Sequence, residues 1–247
     1  MNRSIGTRRA GGAAWVWVVL VLFLLAMGYL GWRIEGPLDA DADTYQVNEP
    51  LDGAISAEIN IRAGIAELYL DSGAVGGPLL SGEVVLIPGE ELGLTRDEHA
   101  GGVRLDLAVV GSASRSMTSG QESWNLILSP EIPLTLELEA GIGKAELDLS
   151  GLWLDSFNYR GGIGSAQITL PQEGTFAGRV ASGEGKVTIL IPAGLAVRIE
   201  TQKGLGTVEV AGLERVGRGT YQTPGFDDGS VVSVAAGTGN IHIAVLE

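Results

Sequence analysis

Glycine is the residue whose type and spacing in this sequence first suggest a chemistry. Gly-x-Gly pairs begin at Gly141, Gly162, Gly183, Gly204 and Gly237. A glycine-rich turn that follows a strand and opens a helix can bind phosphate through its backbone N–H groups, so such a pair could mark a nucleotide site. In this chain, however, every pair is followed by alternating apolar and polar residues, which is the pattern of a strand. The pairs therefore do not indicate a nucleotide site.

The glycine pairs are instead the clearest part of a sequence repeat. The first four are spaced 21 residues apart, and the fifth follows after 33 residues, which is one period plus a 12-residue insertion. The apolar residues after each pair stay in phase, as Leu147, Ile168 and Ile189 illustrate, and an early copy follows Gly64. Two alternating stretches per fixed unit predict the stacked coils of a β-solenoid. We interpret each Gly-x-Gly as the corner between the two strands of a coil.

Metal binding is the next chemistry that the sequence could support. Calcium-binding β-rolls carry an Asp after a glycine motif, but the equivalent positions here hold Ala145, Ala166 and Val187, whose phase directs them to the core. Asp227 and Asp228 form an Asp-Gly sequence that is more typical of a simple turn. The two histidines, His99 and His242, lack the spacing of a zinc site, and the chain has no cysteine. We predict no metal, no cofactor and no catalytic residue.

Acidic side chains dominate the charge, which is −14 overall. Such a charge excludes ordinary nucleic-acid binding, which uses a basic surface. The pairs Glu137/Glu139 and Glu146/Asp148 share the outward phase of their strands, so we interpret them as a solvated face that could attract a cationic peptide. Outward acids could also serve a carbohydrate-active hydrolase, but aromatic residues, which stack on sugars, make up only 6% of the chain.

The N-terminal part differs in composition from the rest. Residues 13–32 contain no charge and are long enough to cross a bilayer as one helix, with tryptophan near both ends. The three arginines before this span predict a cytoplasmic basic tail at residues 1–12 and an extracytoplasmic C-terminal domain. The alternative is a secreted protein whose signal peptide is cleaved near Gly28.

The remaining chain is predicted to be all-β. Residues 33–52 suit an acidic linker. Residues 53–133 suit an irregular β region continuous with the solenoid, in which the acidic segment "GEELGLTRDEHA" is a loop between two strands and "GSASRSMTSGQE" is a second, polar loop. Residues 134–247 hold the regular parallel β-helix-like coils, with an insertion near 215–228 that forms a hairpin or lid.

That insertion supplies the candidate partner-contact residues. It brings Arg215, Arg218, Tyr221 and Phe226 into an otherwise acidic and aromatic-poor domain. Arginine and tyrosine are residue types that frequently anchor interfaces. The alternative is that the insertion caps the solenoid and protects its last edge strands from pairing with other molecules.

Two stretches carry a family resemblance: "SWNLILSPEIPLTLELEAGIGKAELDLSGLWLDSFNYRGGIGSAQITLP" and "GEGKVTILIPAGLAVRI". They resemble the toast-rack and putative-adhesin domains, which include the C-terminal domain of LiaF-like cell-wall-active antibiotics response proteins. The resemblance implies a β-helix-like domain at the cell envelope, tethered to the membrane and linked to stress sensing. LiaF-like proteins have several N-terminal spans, whereas this chain has one.

These observations lead to three functional hypotheses. The first is a non-enzymatic, membrane-anchored envelope protein whose solenoid presents an interaction surface, in a cell-envelope stress response. The second is a structural or adhesive surface protein that self-associates. The third, a carbohydrate-active hydrolase, would require two acids across a cleft.

The topology can be tested with protease added to intact cells, or to spheroplasts where there is an outer membrane. The basic residues before the span predict an external domain, so the protease should degrade it. Full protection of the domain would contradict the predicted orientation.

Overall fold

The computed structural model describes residues 42–111 and 122–246, and these residues contain fifteen strands. The strands are β1 (Asp43–Glu49), β2 (Ser56–Ile65), β3 (Glu67–Ser72), β4 (Leu80–Leu86), β5 (Glu91–His99), β6 (Gly102–Val110), β7 (Ser123–Leu128), β8 (Leu134–Asp148), β9 (Leu154–Thr169), β10 (Ala177–Ile191), β11 (Val197–Leu205), β12 (Val208–Ala211), β13 (Glu214–Gly217), β14 (Thr220–Gln222) and β15 (Ser230–Val245). The predicted basic tail and transmembrane span lie outside the described residues, as do the first part of the linker and most of the second loop. Within the described ranges, no helix is long and apolar enough to cross a membrane.

The strands form one sheet that folds into two layers. Layer 1 has the order β5-β6-β2-β8-β9-β10-β15-β11-β14-β13. Layer 2 has the order β1-β4-β7-β3-β8-β9-β10-β15-β12. The long strands β8, β9, β10 and β15 bend at their glycine pairs and contribute to both layers. Successive coils pair in parallel, as the repeat predicts for a solenoid.

The core lies between the layers and consists of stacked apolar side chains. In layer 2, register aligns Leu147 with Ile168, Ile168 with Ile189, and Ile189 with Ile243. All four are buried. Full burial of an aliphatic side chain of this size contributes about 1.5–3 kcal/mol, so each row is a large part of the stability. The predicted stacking of Ile168 on Ile189 is confirmed.

The corners explain why glycine recurs in pairs. The second glycine of each pair has a positive φ, which is 142° at Gly164. A Cβ atom on Gly164 would also overlap the carbonyl oxygen of Gly143 in the preceding coil, and one on Gly162 would overlap that of Gly141. Both effects require glycine, since an L side chain rarely adopts this φ and the neighbouring backbone occupies its space. The corner interpretation is therefore confirmed, and a strand rather than a helix follows each corner.

The order of the last two coils does not follow the chain. Strand β15, the last in sequence, lies between β10 and the coil formed by β11 and β12. Thr188 is consequently aligned with His242, and His242 with Glu209, although Glu209 is one period after Thr188. The corner glycines keep their alignment in this order, because Gly237 stacks on Gly183 and Gly204 stacks on Gly237.

Two sequence predictions are wrong, one in the irregular region and one in the linker. The segment predicted as an acidic loop forms β5, which pairs antiparallel with β6 through a tight turn with positive φ at Ala100 and Gly101. The end of the predicted linker forms β1, which pairs antiparallel with β4. Arg96 of β5 stabilises both strands. Its guanidinium lies 3.5 Å from the carboxylate of Glu49 in β1 and 3.1 Å from that of Glu98 in β5.

The inward phase can be tested by placing a carboxylate on either side of the same strand. Ile168→Asp would bury an unpaired charge among aliphatic side chains, and we expect it to lower the free energy of unfolding by more than about 3 kcal/mol. The neighbouring Thr169→Asp points outward and should change it by less than about 0.5 kcal/mol. Equal thermal denaturation midpoints for the two variants would contradict the assigned phase.

The corner constraint can be tested with two glycine-to-alanine variants. Gly174 also has a positive φ, 101°, but no atom lies within 4 Å of the position its Cβ would take. Gly174→Ala should therefore cost about 1 kcal/mol of backbone strain alone. Gly164→Ala adds a backbone clash, so it should lower the free energy of unfolding, measured by chemical denaturation, substantially more than Gly174→Ala does. If Gly164→Ala were no worse than Gly174→Ala, close stacking of the corners would not be the reason for the glycine.

Candidate interaction surfaces

The C-terminal end of the solenoid is covered in one layer and open in the other. In layer 1, β14 pairs antiparallel with β11 and aligns Tyr221 with Ile199, while β13 forms the outer edge. In layer 2, β12 pairs with β15, and no other described strand pairs with β12. The backbone groups along the outer side of Val208–Ala211 are thus available for a further strand.

The predicted partner-contact residues divide into two pairs at this end. Arg215 in β13 and Arg218 in the following turn are exposed, and neither forms an ion pair with a described residue. The aromatic side chains are partly buried: Tyr221 lies in β14, and the ring of Phe226 is 4.6 Å from the Arg198 guanidinium in a cation–π contact. Arg215 Nε donates to the Gly217 carbonyl at 3.1 Å, which leaves its two terminal nitrogens and the Arg218 guanidinium available to a partner. Phe226 already has an internal contact with Arg198. The inserted segment forms a hairpin, which was one of the two predicted forms.

The outward acids of layer 1 have partners one period further along the chain. Asn158 Nδ2 donates to Glu137 Oε2 at 2.7 Å, and Arg160 Nη1 donates to Glu139 Oε1 at 2.9 Å. Each pair joins adjacent coils, because residues one period apart are aligned on neighbouring strands. Sequence reasoning missed these pairs, although the 21-residue spacing would have revealed them. This face is therefore less negative than its acid content suggests.

Layer 2 carries a shallow acidic groove of ≈ 410 Å³ on its outward side, lined among others by Asp71, Glu146 and Asp148. Lys144 forms an ion pair with Glu146, and a hydrogen bond to that carboxylate raises the pKa of Lys144. Tyr69 donates a hydrogen bond to Glu67, which raises the pKa of the Tyr69 hydroxyl. Both raised pKa values keep the two groups protonated at neutral pH, so neither is poised as a base or a nucleophile.

Neither histidine belongs to a group of potential metal ligands among the described residues. His242 lies on the outward side of β15, aligned with Thr188 and Glu209, and His99 is exposed at the end of β5. Among residues 42–111 and 122–246, no three His, Cys, Asp or Glu side chains are grouped so that they could hold a metal ion.

Comparison with solved structures relates this geometry to known proteins. A crystal structure from Clostridium sporogenes, described as a putative cell adhesion protein, superimposes with a TM-score of 0.77 at 22% identity, covering 83% of this chain and 100% of that chain. This likeness shows a shared fold. A crystal structure from Bacteroides fragilis, described as a putative adhesin, aligns over 83% of this chain and 96% of that chain with a TM-score of 0.31 at 11% identity. The second likeness supports no argument.

Sequence comparison identifies the family. No curated protein is significantly similar to this chain. The family described as the N-terminal domain of toast_rack, DUF2154, matches residues 38–190, which is more than half of the sequence. Its match spans the irregular β region and the coils up to β10. The chain therefore belongs to the toast-rack family.

Proposed function

We propose that this protein is a non-enzymatic, membrane-anchored interaction protein of the bacterial cell envelope, acting in a stress response. The observation that carries the proposal is the C-terminal end of the solenoid, where β12 has an open edge in layer 2 and the exposed Arg215 and Arg218 follow it in the chain, in and after β13 of layer 1. The basic residues and apolar span at the N-terminus support anchoring with the domain outside. The family resemblance supports the envelope setting.

The solenoid's end suits a partner better than its coils do. An open strand edge can bind an extended segment through main-chain hydrogen bonds, and nearby side chains then select which segment fits. Arg215 and Arg218 would select an acidic segment, since arginine donates paired hydrogen bonds to carboxylates. The outward side chains of the coils instead engage one another, as in the Glu139–Arg160 ion pair.

Self-association is the second candidate, and the opposite end of the solenoid favours it. The edge strand of layer 1 there is β5, which carries the exposed acids Asp97 and Glu98, of which Glu98 also pairs with Arg96. These acids complement Arg215 and Arg218 at the C-terminal end of another copy. A contact between two different ends does not close on itself unless a ring forms, so it would produce filaments rather than a dimer.

The partner role can be tested by reversing the two exposed charges. The double variant Arg215→Glu/Arg218→Glu should at least halve the yield of cross-linked partner on intact cells, because an acidic ligand segment would be repelled. Its melting temperature should remain within experimental error, since both side chains are exposed and outside the core. Arg179→Glu is the matched control, because Arg179 is exposed on the outward side of β10.

The two candidates predict different identities for the cross-linked species. A different envelope protein supports the first, whereas ladders of this chain support self-association. An unchanged yield for the double variant would exclude these arginines from either contact.

Capping can be tested separately by deleting Gly217–Gly225 and closing the gap with a short Gly-Ser link. The deletion removes β14 and exposes the edge of β11, so we expect lower thermal stability and aggregation of the purified protein. A monomer that melts normally but loses its cross-linked partner would indicate contact without capping. If stability, oligomeric state and partner capture all persist, the insertion has neither role.

A further inference from the structure

A second groove lies on the outward side of layer 1, far from the C-terminal hairpin in strand order. It measures ≈ 370 Å³ and crosses the beginnings of four strands, β6, β2, β8 and β9. Its polar lining is mixed rather than acidic: Ser56, Glu58, His99, Arg104, Thr135 and Asp155. Concave sites with a few convergent polar groups are the usual form of small-ligand sites.

A register shift in β9 places Asp155 in this groove. Leu134 is aligned with Leu154, but the next residue, Thr135, is aligned with Ser156, so Asp155 is an extra residue in its strand. Such bulges redirect a side chain and occur often beside functional sites. The other long coil strand in this register, β10, aligns with β9 without a shift. The pairing of β9 with β10 begins at Ser156, so the irregularity is confined to the first residues of β9, which line the groove.

The charges of the groove are largely neutralised within the domain. The Arg104 guanidinium lies 3.4 Å from Glu58 and 3.1 Å from Asp106. Asp155 has no ion pair with any described residue. The hydroxyls of Ser56 and Thr135 and the imidazole of His99 likewise make no side-chain hydrogen bond within the described residues. The unused hydrogen-bonding capacity thus comes from one carboxylate and several neutral groups.

An exposed aromatic residue, Trp153, lies two residues before the groove residue Asp155 in the chain. Trp153 is 56% exposed, whereas Trp124, the other tryptophan in the described residues, is buried. The Trp153 carbonyl accepts a hydrogen bond of 2.8 Å from the backbone N–H of Leu134, the residue after the groove residue Pro133, so the Trp153 backbone is fixed close to the groove. An indole has a broad apolar face and one polar N–H, so its exposure beside hydrogen-bonding groups suits a ligand with both apolar and polar faces.

We infer that this groove binds a neutral oligosaccharide and that the exposed indole of Trp153 forms one side of the site. A pyranose ring presents C–H groups on its faces, which pack against an indole, and hydroxyls around its edge, which can donate to Asp155 and exchange hydrogen bonds with the neutral groups. The uncompensated carboxylate and the negative protein disfavour acidic glycans. A cationic peptide fits less well, because Arg104 already neutralises Glu58. The inference is independent of the proposed C-terminal contact, which uses other strands.

Isothermal titration of the full chain in detergent micelles tests the inference. The probes are neutral tetrasaccharides of β-1,4-linked N-acetylglucosamine, β-1,4-linked glucose and α-1,4-linked glucose, together with tetragalacturonate and pentalysine. We expect at least one neutral tetrasaccharide to bind. Trp153→Ala and Asp155→Asn should each weaken that binding by at least about tenfold, as expected for central contacts. Trp153→Phe, which keeps a flat ring, should weaken it less.

Matched control variants show whether the sugar binds in this groove or elsewhere on the domain. Gln167→Ala alters the outward side of layer 2 and should leave sugar binding unchanged, and Arg215→Glu/Arg218→Glu should do so as well. Circular dichroism must show wild-type melting for each variant, which is expected because Trp153 and Asp155 are exposed. Three results would overturn the inference: no neutral sugar binds, binding survives both groove substitutions, or pentalysine alone binds in a manner that depends on Asp155.

Discussion

The whole domain depends on how closely the backbone of one coil passes the next at the Gly-x-Gly corner. A Cβ atom on Gly164 would overlap the Gly143 carbonyl oxygen, and one on Gly185 would overlap that of Gly164. Only glycine allows this contact to repeat. Because each corner lies directly on its neighbour, the strands on both sides of it are kept in register. Inward residues such as Leu147, Ile168 and Ile189 are then aligned by this register alone.

This constraint determines where the molecule can vary. Corner and core positions are restricted by backbone contact and by burial, so recognition must use the outward faces, the turns and the two ends of the solenoid. The extra residue at Asp155 and the hairpin of β13 and β14 are both departures from the repeat, and both create surfaces that the coils lack. The insertion of β15 has a further effect, since it leaves β12 as an open edge and β11 as a covered one.

Structural features that follow from the 21-residue period could be predicted from the sequence, whereas features that depend on other contacts could not. The corner glycines and the stack of Ile168 on Ile189 follow from phase alone. Strand β5 escaped prediction because acidic residues interrupt its alternation. Strand β1 escaped because its alternation is limited to Tyr45 and Val47 between acidic ends. The contact between Glu49 of β1 and Arg96 of β5 joins residues far apart in sequence. The position of β15 between β10 and β11 could not be predicted from the sequence for a different reason. Its glycine pair and inward phase match those of β11 and β12, so the repeat fits either order equally well. For the candidate surfaces, residue types led to the prediction of Arg215, Arg218, Tyr221 and Phe226 as partner contacts. Only the structure shows that Phe226 contacts Arg198.

Disulfide trapping tests the inserted position of β15 most directly, because the chain contains no natural cysteine. Adjacent strands are about 4.8 Å apart, within the span of a disulfide, whereas strands two apart are separated by about 9.6 Å, beyond it. In the double variant Thr188→Cys/His242→Cys, oxidation should therefore link the two cysteines, as peptide mapping would show. Thr188→Cys/Glu209→Cys should remain reduced. A disulfide in the second variant and none in the first would mean that the coils follow chain order, and would contradict the account of the C-terminal end.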